Sequence, residues 1–242
     1  MSAVGMIPAR YGATRFPGKP LAQIAGLPML QHVVQGARQA RSLREVIVAT
    51  DDERIAEACA GFGAPVMMTS PRHRSGTERL AEAAANITDE IVVNVQGDEP
   101  LIEGPVIDAA VAALRESPGA PMATLVHRAE AGAMADPNRV KVALDRHGFA
   151  LYFSRSPIPF ARGPVSAWQH IGLYAYRRPA LLQIAALPPT PLEQAEQLEQ
   201  LRALEHGLKI RCAIIENWRS LPVDVPGDIA AVQAALAARR GA

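Results

Sequence analysis

From Ala3 to Pro100 the chain alternates short, almost wholly apolar runs with longer runs of helical spacing, and this rhythm limits the folds open to it. AVGMIPA, residues 3–9, reads as a buried strand. PMLQHVVQGARQA carries apolar residues at helical spacing and opens on Pro28, a favourable first-turn residue. EVIVAT is a second strand, ending at Asp51 and Asp52. DDERIAEACAGFG follows as a helix with an acidic first turn and a glycine stop. APVMMT is a third strand, and SGTERLAEAAANI a third helix with Ser75 or Thr77 as cap. EIVVNVQGDEP is a fourth strand running into a loop. This order predicts an α/β fold: a mostly parallel sheet with helices on both faces. Ligands of such sheets gather at the carboxyl ends of the strands. Here those ends carry Arg10, Asp51, Ser70 to Arg74, and Asp98.

The second half is less regular. PMATLVH, RVKVALD and GFALYFS have the spacing of antiparallel hairpins, with Asp145–Gly148 as the turn between the last two. HIGLYAYRRPALLQIAAL reads as a strand feeding a helix, and TPLEQAEQLEQLRALEHG as one helix from Pro191 to Gly207. LKIRCAII is a further strand and PGDIAAVQAALAARR a closing helix. No internal repeat or low-complexity linker interrupts the 242 residues, so a single domain is expected over 1–242.

Charge separates the classes of partner. With 25 basic and 24 acidic side chains the net charge is +1, and aromatics are only 5%. A nucleic-acid binder needs a larger basic excess or stacking platforms. The apolar runs are too short to span a membrane. The N-terminus lacks the pattern of a signal peptide. Two distant cysteines, Cys59 and Cys212, make neither a disulfide framework nor a zinc site, which points to a reducing cytoplasm. Yet no acid precedes Glu45, while Arg10, Arg15, Lys19, Arg38, Arg41 and Arg44 all do. The first three suit a local anionic ligand, the last three a solvated helix end.

Those three lie in IPARYGATRFPGKPL, a turn-rich loop after the first strand. No GxGxxG follows the strand, so it is not a dinucleotide fingerprint. Nor is it a Walker loop: five residues separate Gly12 from Gly18, and Pro20 stands where that motif needs a hydroxyl. Three cations spaced by tight turns match a triphosphate of about four negative charges. Taken alone, the loop fits a solvated surface equally well. VVNVQGDEP then puts Asp98 at a strand's carboxyl end, as a Mg²⁺ ligand or as a turn residue capping the next helix.

Eight segments in order, IPARYGATRFPGKPL, VATDDERIA, SGTERLAEA, NVQGDEPLI, LYFSRSPIPF, HIGLYAYR, LEQLRALEHG and VDVPGD, resemble the 3-deoxy-manno-octulosonate cytidylyltransferases over nearly the whole chain. The resemblance implies a Rossmann-like sheet of the nucleotide-diphospho-sugar transferase type. It implies a nucleotide-binding part over about residues 1–120 and a mixed sheet/helix, sugar-binding and dimerisation part over about 121–242. The implied activity is nucleotidyl transfer. CMP passes from CTP to the acid sugar 3-deoxy-D-manno-octulosonate (Kdo) with release of pyrophosphate, for lipopolysaccharide biosynthesis. The implied assembly is a Mg²⁺-dependent homodimer.

By motif, Arg10, Arg15 and Lys19 are implied to hold the triphosphate, and Pro8 and Ala9 to offer backbone to base and ribose. Arg74, Ser75 and Arg79 stand near the nucleotide, and Gln96 near the reacting groups. Asp98 and Asp224 are the implied metal carboxylates. Arg155, His170, Tyr174, Glu199 and Gln200 are implied to hold the sugar, with Arg155 reading its carboxylate.

Each of the later residues also has a structural reading. His170 suits a strand edge, one of Tyr174 and Tyr176 faces a core, Glu199 suits a solvated helix face, and Asp224 suits a turn. Two departures stand out. Only residues 161–169 separate FSRSPIPF from HIGLY, where many members have a longer insert, and Gly227 stands where the family often has an acid. CMP transfer to a related acid sugar, 8-amino-Kdo or sialic acid, and a non-catalytic nucleotide-binding module are the alternatives.

Overall fold

The computed structural model of the chain describes residues 1–12, 16–130, 132–163 and 166–240. In chain order the first elements are β1 (Ala3–Ala9), β2 (Gln23–Ile24), β3 (Leu27–Pro28), α1 (Met29–Ala37), β4 (Val46–Thr50) and α2 (Glu53–Gly61). Then follow β5 (Val66–Met68), α3 (Gly76–Ala85), β6 (Ile91–Asn94) and α4 (Gly104–Arg115). The later elements are β7 (Met122–Arg128), β8 (Lys141–Leu144), β9 (Ala150–Ser154), β10 (Trp168–Arg177) and α5 (Arg178–Ala186). The chain closes with α6 (Pro191–Glu196), α7 (Gln200–Glu205), β11 (Ile210–Ile214) and α8 (Ile229–Arg240). Among these residues no helix is long and apolar enough to cross a membrane.

The chain divides into two compact units, residues 1–108 with 220–242, and residues 109–219. In the first, β1 pairs in parallel with β6 on one side and β4 on the other, and β4 pairs in parallel with β5. Ala3 opposes Ile91, and Gly5 opposes Val46. Val4, Met6, Ile7, Val48, Val92 and Val93 are fully buried. Unbroken apolar strands of this kind suit a sheet covered on both faces. Of the two candidates Ser75 and Thr77, Ser75 is the cap, its hydroxyl accepting the Glu78 N–H at 3.2 Å; α2 is capped by Asp52, which accepts the Arg54 N–H at 3.0 Å.

The last residues belong to this unit. Val223 and Val232 share one apolar cluster with Ile24, Met29 and Leu101, against which Phe16, Leu221 and Leu236 pack. The Val223 N–H donates to the Asp98 carbonyl at 2.9 Å. An expected division at about residue 120 assigned VDVPGD to the sugar-binding part. Burial of these side chains places it in the unit that carries the basic loop.

In the second unit β7 pairs in parallel with β11 and antiparallel with β10, and β8 pairs antiparallel with both β10 and β9. The Asp145–Gly148 turn forms, with the Asp145 carboxylate accepting the His147 and Phe149 N–H groups at 2.8 Å each. The predicted helix over 191–207 is two short helices, parted at Gln197, whose φ is +52°. The physical reason is Arg155: its guanidinium takes the carbonyls of Glu196 and Gln197, and its N–H takes the Glu196 carboxylate. Helix α4 escaped the sequence reading, although Pro105 near its start and the spacing of Val106, Ile107, Ala110, Val111 and Leu114 mark it.

Candidate active site

The carboxyl ends of β1 and β6 open on a cavity of about 340 Å³ in the first unit. Pro8, Ala9, Arg10, Lys19, Arg74, Ser75, Arg79, Gln96, Asp98 and Asp224 all line it. Ten of the residues singled out from sequence thus meet in one place. Arg15 lies outside the described residues. Gly97 lets the turn after β6 pass the end of β1, since a Cβ there would stand 3.1 Å from the Pro8 carbonyl oxygen.

One pole of the cavity is acidic. The Lys19 ammonium donates to Asp98 Oδ2 at 2.8 Å and to the Val223 carbonyl at 3.0 Å, and lies 3.8 Å from Asp224 Oδ1. Asp224 is aimed by its own loop: Asp228 Oδ2 accepts the N–H groups of Asp224 and Val225 at 2.8 and 2.9 Å. Next to this pair Glu99 is buried and bonds the Ser220 hydroxyl. Burial chiefly, with the neighbouring Asp98 and Asp224 charges, pushes its carboxyl up to about 7. Asp98 and Asp224 converge on one ammonium, so one cation reaches both. Two carboxylates are the donor set Mg²⁺ takes when phosphate oxygens and water complete its shell.

The other pole is basic. Arg10 is exposed at the end of β1. Arg79 is buried, with one nitrogen 3.1 Å from Asp51 and another donating to Thr69 Oγ1 at 2.5 Å. The strand-end Asp51 therefore holds Arg79 at the wall. The amino end of α3 also opens here through Ser75 and Gly76, and such ends favour anions. The turn before α3 is tied to the helix by two carboxylates: Glu78 accepts the Arg74 N–H at 2.7 Å, and Glu82 accepts the Ser70 N–H at 2.9 Å.

His73 lines the cavity; the sequence placed it in the strand-end stretch Ser70 to Arg74 but gave it no role of its own. Its Nε2 meets Glu82, and its Nδ1 lies 4.0 Å from Glu78. Only its place beside RSGTER could have marked it. Of the arginines expected to be solvated, Arg44 forks on Asp89 and Arg38 donates to the Gly63 carbonyl.

The remaining predicted residues lie in the second unit. Arg155, expected to read a carboxylate, donates to the carbonyls of Pro137, Glu196 and Gln197 at 2.7 to 3.3 Å. Below it the buried Lys141 ammonium takes the carbonyls of Asp136 and Arg155. Arg155 is thus a brace for the SRSP segment. His170 is the edge of a ring cluster, 5.0 Å from Phe153 and 5.4 Å from Tyr174, centroid to centroid. Its Nε2 is 2.9 Å from Thr124 Oγ1, which also lies 2.8 and 3.1 Å from the Leu173 and Ile171 carbonyls. Burial lowers the His170 pKa to about 3 and raises that of Tyr174. Glu199 precedes α7 and Gln200 is its buried first residue.

Comparison with known proteins matches this geometry. The family described as Cytidylyltransferase matches residues 4–210. The chain is 52% identical to the 3-deoxy-manno-octulosonate cytidylyltransferase of Geobacter sulfurreducens, over 95% of this chain and 97% of that one. It is 52% identical to that of Myxococcus xanthus, over 98% of each. A solved structure of CMP:2-keto-3-deoxy-manno-octonic acid synthetase complexed with CTP superposes with a TM-score of 0.94, at 43% identity, over 99% of this chain and 100% of that one.

Proposed function

The chain belongs to the cytidylyltransferase family, among the 3-deoxy-manno-octulosonate cytidylyltransferases, and on that premise we propose that it transfers CMP from CTP to the anomeric hydroxyl of Kdo. The observation that carries this reading is the convergence of Lys19, Asp98 and Asp224 beside Arg10 and the amino end of α3. The anomeric oxygen bonds to the α-phosphorus as the bond to the pyrophosphate oxygen breaks in line, and the hydroxyl proton is released. Such transfer needs positioning and charge neutralisation more than covalent help from the protein.

Arg10, Arg15, Lys19, Arg74 and Arg79 hold or frame the phosphates, Pro8 and Ala9 offer backbone to the nucleoside, Ser75 caps the helix beneath, and Gln96 faces the reacting groups. Asp98 and Asp224 would hold Mg²⁺, which when bound neutralises phosphate charge and lowers the pKa of the attacking hydroxyl. In the second unit Arg155, His170, Tyr174, Glu199 and Gln200 are assigned to the sugar, with Arg155 also bracing the segment that carries it. The reading extends to a cytoplasmic homodimer. The exposed Leu151, Phe160 and Ile214 of the second unit support the dimer, and light scattering at two chains per particle would test it.

A panel of Kdo, 8-amino-Kdo and sialic acid, each with CTP and with UTP, tests the function through pyrophosphate release. Release confined to CTP with Kdo is expected. Release with another acid sugar and none with Kdo overturns the substrate assignment. Hydrolysis that ignores the sugar overturns the transfer.

A further inference from the structure

The glycine turn that aims Lys19 leans on a side chain with no part in the chemistry. Gly18 has φ +71°, and its N–H donates to the Tyr11 carbonyl at 2.8 Å. A Cβ on Gly18 would stand 3.1 to 3.3 Å from two ring carbons and the hydroxyl oxygen of Tyr11, so this side chain packs directly against the turn. The Arg54 guanidinium covers this same ring, with Cζ 3.4 Å from the centroid. That contact is well inside the range of a cation–π stack.

Arg54 does not reach the ring by chance rotamer. Its Nε donates to Asp52 Oδ1 at 2.9 Å and its Nη2 to Asp52 Oδ2 at 2.6 Å, a two-point fork that sets the guanidinium plane. Asp52 is held in turn, because the same carboxylate caps α2 and its N–H donates to Thr50 Oγ1 at 3.2 Å. A surface arginine without a task would extend into solvent; this one, 60% exposed, folds back over the loop.

We propose that Arg54, pinned by Asp52, is a positioning residue that clamps Tyr11 and so presets the Gly18–Lys19 turn for the nucleotide's phosphates. The inference rests on the cytidylyltransferase reading and concerns how that site is kept in shape. A lysine cannot replace Arg54, since it offers neither the fork nor a planar face. At Tyr11 the ring face is what Arg54 covers, and the clamp needs that face rather than a hydrogen bond from the hydroxyl.

The test combines CTP binding by calorimetry, steady-state kinetics and amide exchange on the ligand-free protein. Arg54→Ala is expected to raise the Kd and KM for CTP about three- to fivefold, the equivalent of an exposed cation–π contact. The KM for Kdo, kcat and the melting temperature stay unchanged, and the Gly18 and Lys19 amides exchange faster. Arg54→Lys behaves like Arg54→Ala. Tyr11→Phe keeps wild-type affinity, while Tyr11→Leu loses at least as much as Arg54→Ala. Unchanged CTP affinity and exchange in Arg54→Ala, with wild-type protein that binds CTP, overturns the clamp alone. Wild-type protein that does not bind CTP overturns the reading and the clamp together. Equal losses for both substrates with a lowered melting temperature reduce Arg54 to general support and overturn the proposal.

Discussion

Arg10 and Arg155 sit in equally recognisable motifs, yet the two units use them differently. In the first unit charged side chains end a buried parallel sheet and face an open cavity, where Arg10 is exposed. In the second, Arg155 donates to three backbone carbonyls, and His170 and Tyr174 of β10 pack with Phe153 in a cluster of rings. The first arrangement is built to meet charge, the second to keep shape. A motif names the residue type that a place needs, and packing decides whether the side chain meets the ligand or the scaffold.

The largest effect that separates the units is at the metal carboxylates. Asp98→Ala should lower kcat/KM on the order of 10³-fold with little change in melting temperature, because its loss is felt at developing charge. Asp224→Ala should follow with a smaller loss and a higher Mg²⁺ requirement. A normal rate and normal Mg²⁺ dependence in Asp224→Ala would remove it from the site.

Next in size, Arg155→Ala should destabilise the protein by about 2 to 3 kcal/mol through its orphaned carbonyls. Arg10→Ala should keep its melting temperature and raise the KM for CTP about tenfold, one charge-assisted contact of about 1.4 kcal/mol. Thermal melts beside kinetics decide this. An Arg155→Ala protein of normal stability with a raised KM for the sugar would erase the contrast.

A further effect, on stability alone, concerns pH. Folded His170 titrates at about 3 against an ordinary 6.5, so below 6.5 the unfolded chain takes up a proton that the folded one refuses. Its contribution is therefore intact above 6.5 and is lost as pH falls toward 3, costing about 2 kcal/mol by pH 5. Denaturant titrations across that window should show the slope in wild type and lose it in His170→Phe. An unchanged slope would mean that the fold does not hold His170 neutral.

The strand–helix rhythm made the first unit legible, since a wholly apolar strand and a capped helix are local patterns. So were the cap at Ser75 and the gathering of Arg10, Lys19 and Asp98 at strand ends. Local pattern could not bring Asp224 to Asp98, because that depends on α8 returning to the cluster of Ile24, Met29 and Leu101. Resemblance supplied that pairing. The break at Gln197 and the task of Arg155 were hidden for a related reason: they arise from contacts 41 and 42 residues apart. Arg54 was passed over, and His73 was given no role within Ser70 to Arg74, because charged residues beside a helix start are ordinary in sequence. What they touch sets them apart.

The central claim is that the sugar's anomeric oxygen attacks the α-phosphorus of CTP in this protein. Kdo labelled with ¹⁸O at the anomeric hydroxyl, incubated with the protein, CTP and Mg²⁺, tests it directly by mass spectrometry of the product. The account predicts one pyrophosphate per CMP-sugar, with the label retained in the bridge between sugar and phosphorus. Label lost to water, or pyrophosphate released without a labelled CMP-sugar, would contradict it.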